Sequence, residues 1–207
     1  MSRFIEEAIA KAGLLPVLTA RRAGDLETVR ATRDTWATAD LLVLGAVADM
    51  VRSNDVGGGV RIHERDPLVG EAETTWVETT TTSELDFLRA VAVARITGGN
   101  GSSGGAGVRI GVDWSQRGME LAQVALGFGA SELRGPIRRK SGLPIYADEK
   151  LKVKGQGMVE LRAIKRQEIG ALVKHAGRIP TFLDADDARG DAPRVGARST
   201  EGVADNV

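Results

Sequence analysis

The chain has 207 residues, of which 42% are hydrophobic, and this fits one folded domain with a real core. Its 28 basic and 28 acidic residues cancel, so we expect no global attraction to nucleic acid or to an anionic membrane. The sequence contains no cysteine and only two histidines, which excludes disulfides, thiolate zinc sites, thiol nucleophiles and cysteine-held iron–sulfur clusters. The composition therefore predicts a protein without a metal or a cofactor.

No targeting or membrane-spanning segment is expected. Acidic residues and a lysine interrupt the apolar residues of 1–13, so this stretch lacks the apolar centre of a signal peptide. No apolar run reaches the length that a bilayer requires. The sequence predicts a cytoplasmic protein.

The first third of the chain predicts three helices and a strand. A short amphipathic helix capped by Ser2, with Phe4 and Ile5 on its apolar face, is expected to stop at Gly13, and a second helix is expected over about 25–36. The third is clearest, because apolar residues after Asp40 recur every three or four positions until about residue 53. They are Leu41, Leu44, Val47, Ala48 and Val51. Residues 60–63 then alternate as a short strand.

The middle of the chain predicts extended structure, a helix and another strand. Threonine-rich residues 74–82 favour an extended conformation. Ser83 and Asp86 resemble a capping box that begins a helix through Leu85 to about residue 96. After the glycine-rich stretch 98–107, residues 108–113 alternate as a strand.

The last third predicts helices and strands joined by a weakly patterned segment. Ser115 is expected to cap a helix that stops at Gly129, and residues 151–154 form a candidate strand. A helix over 165–176 and a strand over 179–183 follow, and residues 184–207 have the composition of a disordered tail. Alternation of helices and strands predicts an α/β fold with parallel pairing.

Both ends of the chain resemble one enzyme family. The relevant residues of 114–130 are Gly118, Ala122-Gln123, Ala125-Leu126 and Phe128-Gly129-Ala130. With 88–95 and 168–180, they resemble the C-terminal part of the radical S-adenosylmethionine enzymes of menaquinone biosynthesis, aminofutalosine synthase and dehypoxanthine futalosine cyclase. Residues 40–52 resemble the helix before the first barrel strand of that family. The matches cover about half of the chain.

The resemblance implies a partial (β/α) barrel without its cluster loop. In the family, the first strand leads to a CxxxCxxC loop that holds a four-iron cluster. Here residues 61–66 lead toward the threonine-rich segment instead, so the cluster loop and the middle strands are absent. We expect one α/β domain over 1–183, with 1–66 resembling the start of the barrel and 83–183 its end.

A partial barrel of this kind predicts association. The first and last strands of a barrel are neighbours, so a contiguous wall would survive the deletion. That wall would have two unpaired strand edges and an apolar inner face, which favour contact with another chain. We expect a homo-oligomer or a complex with a catalytic radical-enzyme paralogue, and no nucleic-acid or membrane partner.

The best candidate ligand-binding residues follow the strand at 108–113. Asp113, Trp114 and Gln116 are expected where the carboxyl end of a strand meets the next helix, the position at which α/β proteins bind ligands. Helix capping by Ser115 and core packing of Trp114 are the structural alternative.

Two further candidates are weaker. His63 follows a strand close to Glu64 and Asp66, so it is a candidate ligand contact, general base or weak metal ligand, against the alternative of a solvated strand end. Arg138 and Arg139 belong to a basic cluster that includes Arg134 and Lys140 and is a candidate anion site, or a solvated loop. The glycine-rich stretch 98–107 is a phosphate cradle or, more simply, a flexible loop.

Three functions are compatible with these features. The first is a noncatalytic, cluster-free relative of the radical enzymes that acts as an accessory subunit, by association with itself or with a paralogue, and is linked to menaquinone biosynthesis. The second is a binding protein for a small, futalosine-like molecule. The third is an enzyme with new acid/base chemistry at His63. Family resemblance alone does not establish activity.

Overall fold

The fold combines a parallel sheet with helices. The computed structural model describes residues 3–64, 74–78, 83–98, 108–138, 150–153, 157–160 and 164–183. The helices are Arg3–Lys11 (α1), Leu15–Arg22 (α2), Leu26–Ala31 (α3), Arg33–Trp36 (α4), Leu41–Val56 (α5), Glu84–Thr97 (α6), Trp114–Arg117 (α7), Met119–Leu126 (α8) and Arg166–His175 (α9). The strands are Gly59–Glu64 (β1), Thr74–Trp76 (β2), Arg109–Asp113 (β3), Glu132–Gly135 (β4), Ile137–Arg138 (β5), Lys150–Val153 (β6), Gly157–Glu160 (β7), Ile164–Lys165 (β8) and Ile179–Leu183 (β9).

Five strands form one parallel sheet in the order β2-β3-β4-β1-β9. The expected α/β fold with parallel pairing is confirmed. The early strand β1 pairs with the late strand β9 from Gly59 opposite Ile179 to His63 opposite Leu183. Over the described part of the chain the sheet is open, with β2 and β9 at its edges. Outside it, β5 pairs with β8 in parallel and β6 with β7 in antiparallel orientation.

The helices with the strongest sequence signals are confirmed. Asp40 caps α5, because its Oδ1 accepts hydrogen bonds from the backbone N–H groups of Leu42 (3.0 Å) and Val43 (3.1 Å). Ser83 caps α6 in the same way, at 3.4 Å from the N–H of Asp86. Helix α5 continues to Val56, slightly beyond the predicted end.

Other helices differ from the sequence prediction. The helix expected over 25–36 is divided at Thr32 into α3 and α4, and α2, which has Pro16 in its first turn, was not predicted. The helix expected after β3 is interrupted at Gly118, whose φ of 92° is unfavourable for other residues. Phe4, Ile5 and Leu85 were placed on buried faces and are exposed. The spacing of apolar residues alone did not identify which side of each helix faces the core.

Two further expectations concern the rest of the chain. The predicted tail at 184–207 lies outside the described residues, as does most of the glycine-rich stretch 98–107. Within the ranges described above, none of the helices is both long and apolar enough to span a bilayer.

One buried arginine joins α6 to the strands that carry the candidate site. Arg95 donates hydrogen bonds from Nε to the carbonyl of Gly129 (2.8 Å), from Nη1 to the carbonyl of Val108 (2.6 Å) and from Nη2 to Oγ of Ser131 (2.9 Å). These acceptors lie just before β3 and β4. Because Arg95 is almost fully buried, desolvation lowers its pKa to about 10, and the guanidinium stays charged at neutral pH.

An aspartate in α5 provides the counter-charge. Oδ2 of Asp55 lies 3.6 Å from Nη1 of Arg95 and accepts a hydrogen bond of 2.7 Å from Nη2 of Arg21. Burial raises the pKa of Asp55, whereas the two guanidinium groups oppose that shift. The cluster of Arg21, Asp55 and Arg95 therefore connects α2, α5 and α6 through one carboxylate that contacts both guanidinium groups.

We predict that Arg95→Met destabilises the fold strongly. The substitution removes the hydrogen bonds that Arg95 donates to Gly129, Val108 and Ser131 and leaves buried carbonyls without that donor, so the free energy of unfolding should fall by about 3 kcal/mol. Urea unfolding followed by circular dichroism measures the change. Arg22→Met, on the exposed side of α2, is the control and should change the value by less than about 0.5 kcal/mol. Equal urea midpoints for Arg95→Met and Arg22→Met would show that Arg95 does not stabilise the fold in this way.

Candidate functional site

Charged side chains from neighbouring strands lie on one face of the sheet. In a parallel sheet, residues paired in register point to the same side. One row across the sheet consists of Arg61 on β1, Glu132 on β4 and Gly111 on β3. The next row consists of His63, Arg134 and Asp113 on the same three strands. We call this side the charged face; its side chains are Arg61, His63, Trp76, Arg109, Asp113, Glu132 and Arg134.

The opposite side of the same strands is apolar. Its residues are the buried Val60, Ile62, Ile110, Val112 and Leu133, which belong to the core shared with the helices. The apolar inner face that the sequence predicts is therefore wrong. Each strand alternates, so apolar side chains pack in the helix layer and the charged ones are left on the other side.

Glu132 is the centre of the charged face. Its side chain is fully buried, and its Oε1 accepts a hydrogen bond from Nε of Arg61 and lies 3.4 Å from Nε of Arg109. Its Oε2 is hydrogen-bonded to Nε2 of His63. An isolated buried carboxylate would be very unfavourable, so these three partners from the two neighbouring strands are what keeps Glu132 inside the protein.

Asp113 has a mainly structural role. Its Oδ1 accepts hydrogen bonds from the backbone N–H (2.9 Å) and the hydroxyl (2.6 Å) of Ser115, so Asp113 caps α7. The sequence analysis had assigned the cap to Ser115, and the structure corrects this. The other oxygen, Oδ2, accepts a hydrogen bond of 3.1 Å from Nε of Arg134. Asp113 therefore positions Arg134 on the charged face while it begins the helix.

Trp76 reaches across the charged face from the edge strand. The guanidinium carbon of Arg134 lies 4.2 Å from the ring centroid of Trp76, in a cation–π arrangement, and the ring of His63 meets it edge-on at 5.6 Å. A Cβ on Gly111 would come within 2.4 Å of the indole, so glycine is what allows the ring to lie over β3. The indole thus covers Gly111 and Arg134.

The residues proposed from the sequence do not form one site. The structure brings His63 and Asp113 into the same row of the charged face. Trp114 is instead buried in the core against Gly135, which supports its structural alternative, and Gln116 is exposed on α7. The backbone of Arg138 pairs with Lys165 in β5 and β8, whereas Arg139 lies outside the described residues.

Sequence reasoning missed most of the charged face. Arg134 was included only in the basic cluster with Arg138, Arg139 and Lys140, as a candidate anion site or a solvated loop, and Arg61, Trp76, Arg109 and Glu132 were not singled out. The alternation of Arg61 and His63 with Val60 and Ile62 was a usable signal, because it shows one side of β1 to be polar. The sequence gives no signal for the pairing of His63 with Glu132, because the two residues are 69 positions apart and their contact depends on the fold.

The side chains of the charged face are mainly cationic. Three arginines and one histidine surround two carboxylates, and all four carboxylate oxygens already contact donors. About a quarter of the side chains of Arg61 (26%) and Arg109 (24%) is exposed. Within the described ranges, no group of three acidic, histidine or cysteine side chains is placed to hold a metal ion.

Comparisons with known proteins add no assignment. No protein-family model matches the chain, and no curated protein matches it significantly. The resemblance to the radical enzymes therefore depends on the residues quoted above.

We predict that Glu132→Gln destabilises the fold. The substitution keeps the shape of the side chain but removes the buried charge that pairs with the guanidinium of Arg61. The free energy of unfolding should fall by about 3 kcal/mol in urea titrations. Glu27→Gln, on the exposed side of α3, is the matched control and should have little effect.

A double variant separates this pairing from general damage. If the ion cluster is the cause, Arg61→Met combined with Glu132→Gln should cost less than the sum of the two single substitutions, because each removes the same interaction. Strict additivity would contradict the account.

Proposed function

We propose that this chain is a noncatalytic, cluster-free binding protein that holds a small molecule on the charged face. The observation that carries the proposal is the convergence of Arg61, Arg109 and Arg134 around the carboxylates of Glu132 and Asp113 on one face of a parallel sheet, where Asp113 ends β3 and Arg134 lies near the end of β4. Ligands of α/β proteins bind at those ends.

The energetic cost of the charged face supports a functional role. Parallel sheets are usually apolar on both sides, and a buried ion cluster is often no more stable than the apolar side chains that could replace it. Stability alone therefore gives no reason for Glu132 and its partners to occupy the middle of the sheet. Recognition of a ligand would be a reason for these charges to lie there.

The pairing of β1 with β9 also fits the ancestry that the sequence motifs imply. A barrel fragment made of the first and last strands should keep those strands adjacent, with helices packed on one side of the sheet. The pairing of β1 with β9 and the apolar face toward the helices agree with this, whereas β1 lies between β4 and β9 and a barrel wall would place β9 beside β4. We propose descent from the menaquinone-pathway radical enzymes as a partial barrel, and futalosine as the first candidate ligand.

We predict ligand-dependent stabilisation that depends on Arg61. Thermal unfolding is measured with futalosine and with a small-molecule library of neutral, cationic and anionic members. A bound compound at 100 times its Kd adds about 2.7 kcal/mol, which is roughly 5–10 °C for a chain of this size. Arg61→Gln should abolish the shift, whereas Arg3→Gln, exposed on α1, should keep it. Absence of any stabilising compound, or full shifts with Arg61→Gln, would contradict the proposal.

Association is a second candidate, favoured by the edge strand β9. Within the described residues β9 pairs only with β1, and Ile179 at its start has 68% of its surface exposed. An unpaired edge with an exposed apolar residue favours contact with another strand. We propose a homodimer, or a complex with a catalytic paralogue in which this chain is the accessory subunit.

We predict a dimer at micromolar concentration. Light scattering should give twice the chain mass of 21.9 kDa, and Ile179→Lys should shift the population toward the monomer. Val124→Lys changes a half-exposed valine of α8 and is the control that should leave the dimer intact. A monomeric wild-type protein would exclude the homodimer and leave the complex with a paralogue to be tested by pull-down.

A further inference from the structure

A cavity of about 460 Å³ lies at the edge of the sheet and is lined by residues of β2, α4 and α6. This volume is within the range of small-molecule binding sites. Of the described residues, the cavity shares only Trp76 with the charged face, so it is a separate place in the fold. The lining residues with a bearing on binding are Arg33 on α4, Trp76 on β2, Glu78 just after β2, and Ala90, Val93 and Ala94 on α6.

Two opposite charges line this cavity without pairing with each other. Arg33 and Glu78 are both exposed, and within the described part of the chain neither forms an ion pair or a side-chain hydrogen bond. A guanidinium binds a carboxylate through two parallel hydrogen bonds, and a carboxylate accepts hydrogen bonds from an ammonium group. A ligand that carries both a carboxylate and an ammonium group would therefore satisfy both side chains.

A buried donor in the cavity wall also lacks an acceptor. The indole Nε1 of Trp76 is buried and has no hydrogen-bond partner among the residues that the structure describes. A buried N–H group without an acceptor is unfavourable, and such groups in folded proteins usually have a partner. An oxygen of a bound carboxylate would supply one, so Trp76 is a second observation that indicates a ligand in the cavity.

The helical wall indicates the apolar part of the ligand. Ala90, Val93 and Ala94 follow one another at a spacing of three and four, so they lie on one side of α6. Their short side chains leave room for a bulky apolar group. Val77 and the indole of Trp76 add apolar surface from the strand, and an indole also offers its ring face to another aromatic ring.

We propose that this cavity binds a zwitterionic amino acid with a large apolar side chain. Arg33 binds the carboxylate, Glu78 binds the ammonium group, and the side chain of the ligand packs against α6 and Trp76. This inference goes beyond the proposed function, because both the ligand and its contacts differ from those of the charged face.

Calorimetric titration of the full chain with L-phenylalanine tests this site. The matched comparisons are 3-phenylpropionate, which lacks the ammonium group, and phenethylamine, which lacks the carboxylate. We expect saturable binding of phenylalanine and at least about fivefold weaker binding of either comparison, because each loses one hydrogen-bonded charge contact. No binding of phenylalanine, or equal affinities for the three compounds, would overturn the inference.

Variants locate the site. Arg33→Gln and Glu78→Gln should each weaken phenylalanine binding at least about fivefold, and Ala90→Leu, which fills part of the cavity, should weaken it too. Glu78→Gln should not weaken binding of 3-phenylpropionate, because that compound has no group for the carboxylate of Glu78. Arg22→Gln and Glu27→Gln remove exposed charges outside the cavity and should bind phenylalanine like the wild type. Circular dichroism checks that every variant is folded.

The outcomes separate this inference from the proposed function. Phenylalanine binding that is unchanged in Arg33→Gln and Glu78→Gln but lost in Arg61→Gln would place the ligand on the charged face, which overturns this inference and supports the proposed function. Phenylalanine binding that is lost in the cavity variants and kept in Arg61→Gln would support the cavity. Binding that is unchanged in all of these variants would overturn the cavity assignment.

Discussion

The charged face depends on one interaction, the pairing of the buried Glu132 with Arg61, His63 and Arg109. These partners lie on the strands at either side of β4, so the interaction holds only in one register of the sheet. A slip of one residue would turn Glu132 into the helix layer and place Leu133 among the arginines. The same contacts that stabilise the carboxylate therefore also fix the positions of the cations that define the proposed site.

The helix layer contains a second set of buried charges with a different role. Arg95 is satisfied mainly by backbone carbonyls and by Ser131 just before β3 and β4, and Asp55 and Arg21 complete the cluster. Because its donors are directed at main-chain groups, this arginine fixes where the two strands begin. On the charged face, by contrast, the arginines contact a side chain and keep part of their surface exposed, which suits binding rather than scaffolding.

The elements that were predicted correctly carry strong local signals. Helix α5 has its Asp40 cap and a regular apolar stripe, and β1 and β3 alternate clearly. Strand β4 was missed because its four residues, Glu132 to Gly135, include two charges and a glycine and have no β-branched residue. Without β4, nothing in the sequence could connect His63 with its carboxylate or Arg134 with Asp113. Of the two alternatives given for Trp114, the structure supports core packing, since the residue after a strand can begin a helix and turn into the core.

The most direct test of this account is to observe the Nε–Hε groups of the arginines by solution NMR. If Arg61 donates to the buried Glu132, its Nε–Hε resonance should be shifted downfield and exchange slowly with water at neutral pH, and both effects should disappear in Glu132→Gln. A rapidly exchanging Arg61 signal that is identical in the wild type and in Glu132→Gln would contradict the central claim.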